Sequence, residues 1–492
     1  MTKIHPYRST VGKSWDVETV PMPTVPDFGQ ARSKPLPKVT SVPSVQRVTE
    51  CAKTIRFDNL LESLTYGASG VVDAIIEEVR AGSPLAQALL EPPASLTDRP
   101  RTNSLPDANS LRETLTAEDV TYFDTTRRHG QTMAVLCRFL WQFRDAQGAL
   151  HLEGVLQGFG AAAAGLVSRL ADAVNEVRPR RPDYHLMAEV VEQIQELVPQ
   201  GQARDLVDAL VRHDGLIPER LQVLDRAMQE VPDGRLNDNG LCGALHLFPT
   251  SVPLLEALVA KGMRPEDIHV SGTPYASNAL VAAYCRMLGM DVRAEYPVAL
   301  PTGAHQRSRL RDQYDLLQRV ADLPPPPGGW VVADDGGMLH VAVSGAKRHL
   351  LRYRQDLAEI IDATAEQVQR MLAQGPVRGS EQTARGLTEL HNLEAHDIPL
   401  PYSVVTLGDA PVKKDHEAPY IGWSLANSLR EELWHRGLTD DRVKRITLVG
   451  AGSVGFEAAL HLKAGGFQVT VVDPDNKVQA RAADHHMPAQ SQ

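Results

Sequence analysis

The sequence has few cysteines, and those it has are far apart. Four cysteines occur in 492 residues, and no two of them form a Cys-x-x-Cys pair. This scarcity argues against a disulfide framework and against a cysteine-bound zinc ion, and it is typical of a protein kept in a reducing compartment. We therefore expect no metal site, and we expect a cytoplasmic protein.

Long hydrophobic runs and an excess of basic residues are also missing. The N-terminus has no apolar stretch of the kind that a signal peptide needs, and the most apolar run, residues 155–167, is too short to span a bilayer. The net charge of −10 argues against nucleic acid as a partner, because binding to the phosphate backbone needs a basic surface. The expected partners therefore include neither a membrane nor nucleic acid.

The pattern of the chain changes three times along its length. Residues 1–50 are rich in proline, which is typical of an extended arm. Residues 51–232 repeat apolar positions at steps of three and four, which predicts a helical domain. Residues 233–425 alternate short strands and helices, as an α/β domain with a largely parallel sheet does. A last unit, residues 426–492, contains the most specific single motif.

That motif is a glycine turn between two strand-like runs. Gly450, Gly452 and Gly455 have the spacing G-x-G-x-x-G, which allows a tight turn, a close approach to a pyrophosphate and close packing of helix on strand. Asp473 lies 18 residues after Gly455 (473 − 455), near the position of the acid that holds a ribose in such folds. The four residues predict binding of NAD.

The predicted fold class is α/β, with a largely parallel substrate-domain sheet and an incomplete Rossmann-type unit, preceded by an all-α N-terminal domain. The unit is expected to be incomplete because only 19 residues follow Asp473 (492 − 473), too few to finish a doubly wound sheet. We therefore expect an oligomer in which a second chain supplies the rest of the NAD domain.

Five short blocks precede the glycine turn, and their order resembles a known family. The blocks run from Gly243 to His246, from Ser271 to Asn278, from Asp334 to Gly337, from Ser380 to Gly386, and from Val405 to Lys414. Together with the turn, they resemble the adenosylhomocysteinase family over about residues 215–480. That family splits S-adenosylhomocysteine with tightly held NAD, which oxidises the 3′-hydroxyl of the nucleoside so that the 5′ substituent can be eliminated.

The resemblance implies roles for single residues. Lys414 falls on the family's catalytic lysine, Asp335 on its site aspartate and His246 on its site histidine. Gln382 and Asn278 are expected to bind substrate, an adenine nucleoside or its thioether. The resemblance also places Thr383 among the residues that contact NAD.

The sequence departs from the family pattern near these residues. Gln382 stands where the family has a ribose-binding glutamate, and Ala384 and Arg385 stand where it has two more cofactor threonines. With the lysine placed at Lys414, Ala418–Pro419 replaces an Asp-Asn pair whose acid, four residues after the lysine, is the lysine's partner.

Taken singly, the residues also permit structural interpretations. Lys414 has the character of a surface lysine, Asp335 that of a residue in a plain turn, and His246 that of a hydrogen-bonded core histidine. At the level of function, an enzyme subunit that performs 3′-oxidation and 4′,5′-elimination, with hydrolysis or dehydration as its outcome, is favoured. A non-catalytic scaffold or regulator and a nucleoside-binding protein are the alternatives.

Overall fold

Short strands alternate with helices through the middle of the chain, as the sequence pattern predicts. The computed structural model describes residues 56–57, 60–90, 122–145, 149–175, 183–212, 216–294, 302–344, 368–438 and 443–491. The predicted proline-rich arm, residues 1–50, lies outside the described residues. Of a helix that the sequence predicts over residues 355–374, residues 355–367 also lie outside the described residues, and residues 368–374 are helical.

The central strands form one six-stranded parallel sheet in the order β3-β2-β1-β4-β5-β6. The strands are β1 (Asn239–Leu247), β2 (Ile268–Ser277), β3 (Asp291–Arg293), β4 (Gly329–Asp334), β5 (Val377–Glu381) and β6 (Val404–Thr406). The order reverses between β1 and β4, and the carboxyl ends of parallel strands share one edge. Ligand sites in such sheets lie at that edge, next to the reversal.

Both faces of this sheet are covered, which is the usual condition of a parallel sheet. Successive side chains of a strand point to opposite faces. Along β1, Leu241 and Leu247 belong to one buried cluster, whereas Cys242 and Ala244 belong to another. The strand is therefore apolar on both sides until it reaches His246, near its carboxyl end.

The described elements before β1 are helices, apart from two isolated strand bridges. They are α1 (Leu60–Ala81), α2 (Pro84–Leu90), α3 (Tyr122–Leu140), α4 (Leu152–Asn175), α5 (Tyr184–Leu197), α6 (Gln200–Val211) and α7 (Gln222–Gln229), with a 3-10 turn at Trp141–Phe143. The helical periodicity read from the sequence is confirmed for these segments.

The helical region is joined to one face of the sheet by a continuous core and by polar contacts. The buried cluster that begins in α1 continues into β2 and β3. Arg212 donates to Tyr284 Oη at 3.1 Å and forms an ion pair with Glu256. Tyr284 in turn donates to Asp208. Tyr284 and Glu256 lie on helices that follow the strands, so these bonds join the helical region to the helices beside the sheet.

The remaining helices of the central region follow the strands. They are α8 (Ser251–Ala260), α9 (Ala279–Met287), α10 (Thr302–Asp322), α11 (Met338–Val343) and α12 (Ala384–Ala395). A 3-10 turn at Pro265–Asp267 precedes β2, and a π-helical segment at Val412–Glu417 follows β6.

The glycine turn belongs to a second, smaller sheet with the parallel order β7-β8-β9. Its elements are α13 (Ala418–His435), β7 (Arg445–Val449), α14 (Ser453–Ala464), β8 (Gln468–Val472), α15 (Asn476–Asp484) and β9 (Ala489–Gln490). The strand-turn-helix-strand order predicted around Gly450 is confirmed. Within the described part of the chain, no helix combines the length and the apolar character needed to cross a membrane.

Candidate functional site

The candidate site lies at the carboxyl ends of β1, β4 and β5, on both sides of the reversal in strand order. His246 is near the end of β1, Asp335 follows β4, and Gln382 follows β5. Because the strands are parallel and adjacent, these three side chains reach the same edge of the sheet. The structure therefore brings together three residues that the sequence analysis singled out separately.

Asp335 is the centre of this group. Its Oδ2 accepts a hydrogen bond from Gln382 Nε2 at 2.6 Å and lies 3.2 Å from His246 Nδ1. Asp335 is only 4% exposed, so its carboxyl group depends on these neighbours rather than on bulk water. The contact with Asp335 favours the proton of His246 on Nδ1, which leaves the lone pair on Nε2.

Glu381 fixes the loops that carry Asp335 and Gln382. It is completely buried, and its oxygens accept from the backbone N–H groups of Gly336 at 3.2 Å and Gly337 at 2.9 Å. They also accept from the N–H and the hydroxyl of Thr383, both at 2.7 Å. One carboxylate therefore ties the loop after β4 to the loop after β5, and it was not recognised from the sequence.

Thr383 has a capping role in addition to its place at the site. Its Oγ1 accepts from Gly386 N–H at 2.9 Å and so caps the start of α12. The hydroxyl thus donates to Glu381 and accepts from the helix at the same time. The expected contact of Thr383 with NAD remains a prediction.

Asp334, next to Asp335, holds the start of α11. Its Oδ2 accepts from Leu339 N–H at 2.5 Å and from His340 N–H at 3.0 Å. The chain is thereby turned so that Asp334 points into the protein, while Asp335 reaches the cavity described below. The two adjacent acids have different surroundings, which the sequence does not reveal.

His340 lies beneath this edge and is completely buried. Its Nε2 lies 3.1 Å from Ser380 O and its Nδ1 lies 3.0 Å from Tyr402 Oη. Since a carbonyl only accepts, Nε2 carries the proton and Nδ1 accepts from the tyrosine hydroxyl. Burial lowers the pKa of His340 to about 4, although the bond to Ser380 opposes this shift.

His340 also belongs to the one group of possible metal ligands found among the described residues. Ligand atoms of Asp334, His340 and Glu381 lie within 4.8 Å of one another. However, Nε2 of His340 is a donor, Nδ1 accepts from Tyr402, and both oxygens of Glu381 accept from the backbone. A metal ion would have to displace these bonds, so the group is better explained as a structural network.

The cavity next to Asp335 has a volume of about 330 Å³, in the size range of small-molecule sites. Its apolar wall comes from β1 and α8, and its polar wall comes from the loops after β4 and β5 and from the π-helical segment. The lining residues are Leu245, His246, Phe248, Thr250, Ser251, Leu254, Leu255, Asp335, Gln382, Thr383, Lys413 and Glu417. Such a wall combination suits a ligand with one flat apolar part and one part rich in hydroxyls.

The lysine on this cavity is Lys413, the neighbour of the predicted Lys414. Lys413 Nζ lies 2.8 Å from Glu417 Oε2 and 3.0 Å from Oε1, and both residues line the cavity. Lys414 instead forms an ion pair with Asp409, and its side chain is 51% exposed. The spacing Lys-x-x-x-Glu is a recognisable helical ion pair and would have been the signal for Lys413 in the sequence.

Asn278 has a structural role at the start of α9. Its Oδ1 accepts from Leu280 N–H at 2.9 Å and from Val281 N–H at 3.4 Å, which makes it the N-cap of the helix. It is not among the described residues that line the cavity. Its predicted part in substrate binding therefore lacks support from this geometry.

The glycine turn is tight, and it is open beside the first residues of α14. Gly450 has a φ of +84°, which favours glycine, and a Cβ at Gly455 would lie 2.3 Å from the carbonyl oxygen of Gly450. A Cβ at Gly452 would meet no atom within 4 Å. Helix α14 begins at Ser453 without a side-chain cap, so its first amides point into this open space.

Asp473 lies at the other side of the turn. Its Oδ2 accepts from Ala451 N–H at 2.7 Å and its Oδ1 accepts from Asp475 N–H at 2.9 Å. These bonds fix the carboxylate beside the turn, and each oxygen retains a second lone pair. The residues at 450–455 together with Asp473 therefore fit a dinucleotide.

The cavity and the glycine turn are connected by α13. This helix begins directly after Glu417, on the cavity, and packs tightly on α14. A Cβ at Gly422 would lie 2.6 Å from Ala458 N, so the two helices approach closely at this point. The segment that contains Lys413 and the glycine turn are therefore linked through α13 and α14, which pack against each other.

Comparison with known proteins does not identify a family. No protein-family model matches the chain, and no curated protein matches it. The assignment of function therefore depends on the geometry of the cavity and the glycine turn.

Proposed function

We propose that the chain is an adenosylhomocysteinase-like subunit of an NAD-dependent enzyme that acts on an adenosine-type nucleoside. The observation that supports this most is the convergence of His246, Asp335, Gln382 and Lys413 on one cavity. The reaction would oxidise the 3′-hydroxyl transiently. It would then remove the hydrogen at C4′ and the substituent at C5′, which leaves a double bond between these two carbons.

The polar wall would bind the ribose. Asp335 would accept from a ribose hydroxyl, and Gln382, whose amide N–H₂ already donates to Asp335, would accept through its carbonyl oxygen. His246, oriented by Asp335, would in its imidazolium form give a proton from Nε2 to the 5′ substituent as it leaves, and would then be neutral with its lone pair on Nε2. The apolar wall around Phe248 would contact the base.

Within this proposal, Lys413 would take the proton of the 3′-hydroxyl when C3′ is oxidised and would return it when C3′ is reduced. A lysine can act as a general base when its surroundings tune its basicity. The resemblance expects an acid four residues after the lysine, and Glu417 has that spacing from Lys413 and contacts it. The sequence-based assignment to Lys414 remains the alternative, with its side chain paired to Asp409.

NAD would be held by the glycine turn and Asp473. The amides at the start of α14 would bind the pyrophosphate, the space at Gly452 would admit it, and Asp473 would accept from the adenosine ribose of the cofactor. When bound, NAD supplies a hydride acceptor for the 3′ carbon and returns the hydride at the end. In the proposed architecture this part is a Rossmann-type unit, and the helical region before β1 is an all-α domain.

Paired lysine variants test the proposal. Lys413→Met should lower turnover of adenosine, followed as exchange of its 4′ hydrogen with deuterium from solvent, by about 100-fold or more. Lys414→Met should remain close to wild type, because its partner Asp409 lies outside the cavity lining. If Lys414→Met removes the exchange and Lys413→Met does not, the assignment from the sequence is the right one.

A measurement of bound cofactor separates this enzyme from a scaffold or a simple nucleoside-binding protein. The chain is purified alone and together with a protein encoded beside it, and each sample is denatured to release its cofactor. NAD in either sample supports an enzyme. Adenosine binding without NAD in either sample would indicate a binding protein, and absence of both would indicate a scaffold.

A further inference from the structure

Strand β7, which leads into the glycine turn, is an edge strand among the described residues. Within the described part of the chain its partner is β8, from the pair Arg445–Gln468 to the pair Val449–Val472. In parallel α/β sheets the nucleotide site lies where the strand order reverses, so the strand before the turn has neighbours on both sides. The turn therefore lies at an edge where a further parallel strand is required.

One face of β7 is also uncovered. Ile446 and Leu448 pack into the core under α14, which contains Phe456. On the opposite face, Arg445, Thr447 and Val449 are exposed, and Val449 is 67% exposed. Parallel sheets are normally covered by helices on both faces, so an uncovered face suggests a missing layer.

Helix α13 presents an aromatic surface from the same unit. Tyr420, Trp423 and Trp434 lie on one face of the helix, since their positions in a 3.6-residue repeat differ by less than about 60°. Their exposed fractions are 74%, 56% and 70%. Ala426, about 60° from Trp423 on the neighbouring side of the helix, packs into the core with α14. Exposed tyrosine and tryptophan at this density are typical of a protein interface.

We propose that the free edge of β7 and the aromatic face of α13 bind a second polypeptide, which adds a parallel strand beside β7 and a helix over its exposed face. The inference rests on the proposed cofactor site, which such a partner would complete. A second copy of this chain joined at the same edge does not meet the requirement. Two identical edges related by a two-fold axis pair antiparallel and so create no reversal of a parallel sheet.

Photo-crosslinking in the producing cells tests this surface. Trp423 and Trp434 are each replaced by p-benzoylphenylalanine in the full chain. The matched control is the same replacement at Val223, which is 83% exposed on α7. Both α13 positions should crosslink to one and the same protein, distinct from this chain, and Val223 should not.

The crosslinked protein, identified by mass spectrometry, is then co-expressed with this chain. In the purified pair, hydrogen exchange of the β7 amides should be about tenfold slower, or more, than in the chain alone, because the free edge becomes paired. Absence of crosslinks, crosslinks to a second copy, or slow exchange of β7 in the chain alone would overturn the proposal. So would a pair in which β7 stays unprotected.

The test separates this surface from the proposed function. A purified complex in which the β7 amides exchange slowly but no NAD is bound would support the proposed surface and contradict the proposed cofactor site. NAD bound by the chain alone, together with a purified pair in which the β7 amides stay unprotected, would support the cofactor site and contradict the surface.

Discussion

At the scale of single residues, the site is organised by carboxyl groups with separate tasks. Asp335 faces the cavity and aligns His246 and Gln382, whereas Asp334 and Glu381 face inward and bind backbone amides. The geometry of the site therefore depends partly on acids that are not among the described residues lining the cavity. An inward-facing acid is followed directly by a cavity-facing residue at two places in the chain, Asp334–Asp335 and Glu381–Gln382.

Glu381 should contribute to stability far more than an ordinary surface acid. Glu381→Gln replaces one acceptor oxygen by an N–H₂ group that faces backbone donors, and we expect a loss of about 3 kcal/mol in the free energy of unfolding. Denaturant unfolding measures this, with Glu394→Gln on the exposed side of α12 as the control. Equal free energies of unfolding for the two variants would show that the hydrogen bonds of Glu381 contribute little to stability.

His340 should make stability depend on pH. Burial lowers its pKa to about 4 from the usual 6.5. Between these values the unfolded chain binds more protons than the folded one, so the contribution of His340 is complete above pH 6.5 and is lost as the pH falls to 4. The loss amounts to about 3 kcal/mol. Unfolding curves of His340→Gln should show a flatter pH profile in this window; a profile parallel to wild type would contradict the account.

The sequence predicts some of these residues better than others. His246, Asp335 and Gln382 were predicted from the resemblance, and the structure brings them together. Whether Lys413 or Lys414 faces the cavity depends on how the segment is wound, and a π-helical turn shifts side-chain directions away from the 3.6-residue pattern. Adjacent lysines therefore cannot be distinguished by composition.

At the scale of elements, the strand-turn-helix around Gly450 explains two of its three glycines, because Gly450 has a positive φ and a Cβ at Gly455 would lie 2.3 Å from Gly450 O. The alternation of strands and helices was readable from the sequence because each element has its own hydrophobic period. The strand order was not readable, since it depends on contacts between segments distant in the chain. The order β3-β2-β1-β4-β5-β6 places β1 beside β4, and this creates the cavity.

Two glycine variants should separate cofactor binding from folding. Gly452→Ala should leave stability nearly unchanged, because its Cβ meets no protein atom within 4 Å, yet it should remove NAD by filling the space of the phosphates. Gly455→Ala should lower both the stability and the amount of bound NAD, because its Cβ would lie 2.3 Å from Gly450 O. Thermal unfolding and NAD released on denaturation are the two measurements. Undiminished NAD in Gly452→Ala would contradict the assignment of the turn.

At the scale of the whole molecule, the two parallel sheets differ in how far their faces and edges are covered. The six-stranded sheet has a covered core on both faces. The three-stranded sheet exposes one face and one edge of β7 among the described residues. In the proposed enzyme the substrate would bind in the cavity of the six-stranded sheet and NAD at the three-stranded sheet. Binding of a second polypeptide at β7 would therefore control activity.

The most direct test of the nucleoside-oxidation proposal is the absorbance of reduced nicotinamide after adenosine is added to the NAD-containing protein purified from its producing cells. We predict a rise with adenosine, no rise with 3′-deoxyadenosine, and no rise in Lys413→Met. The account would be contradicted if adenosine binds without any change in absorbance, or if 3′-deoxyadenosine produces the same rise.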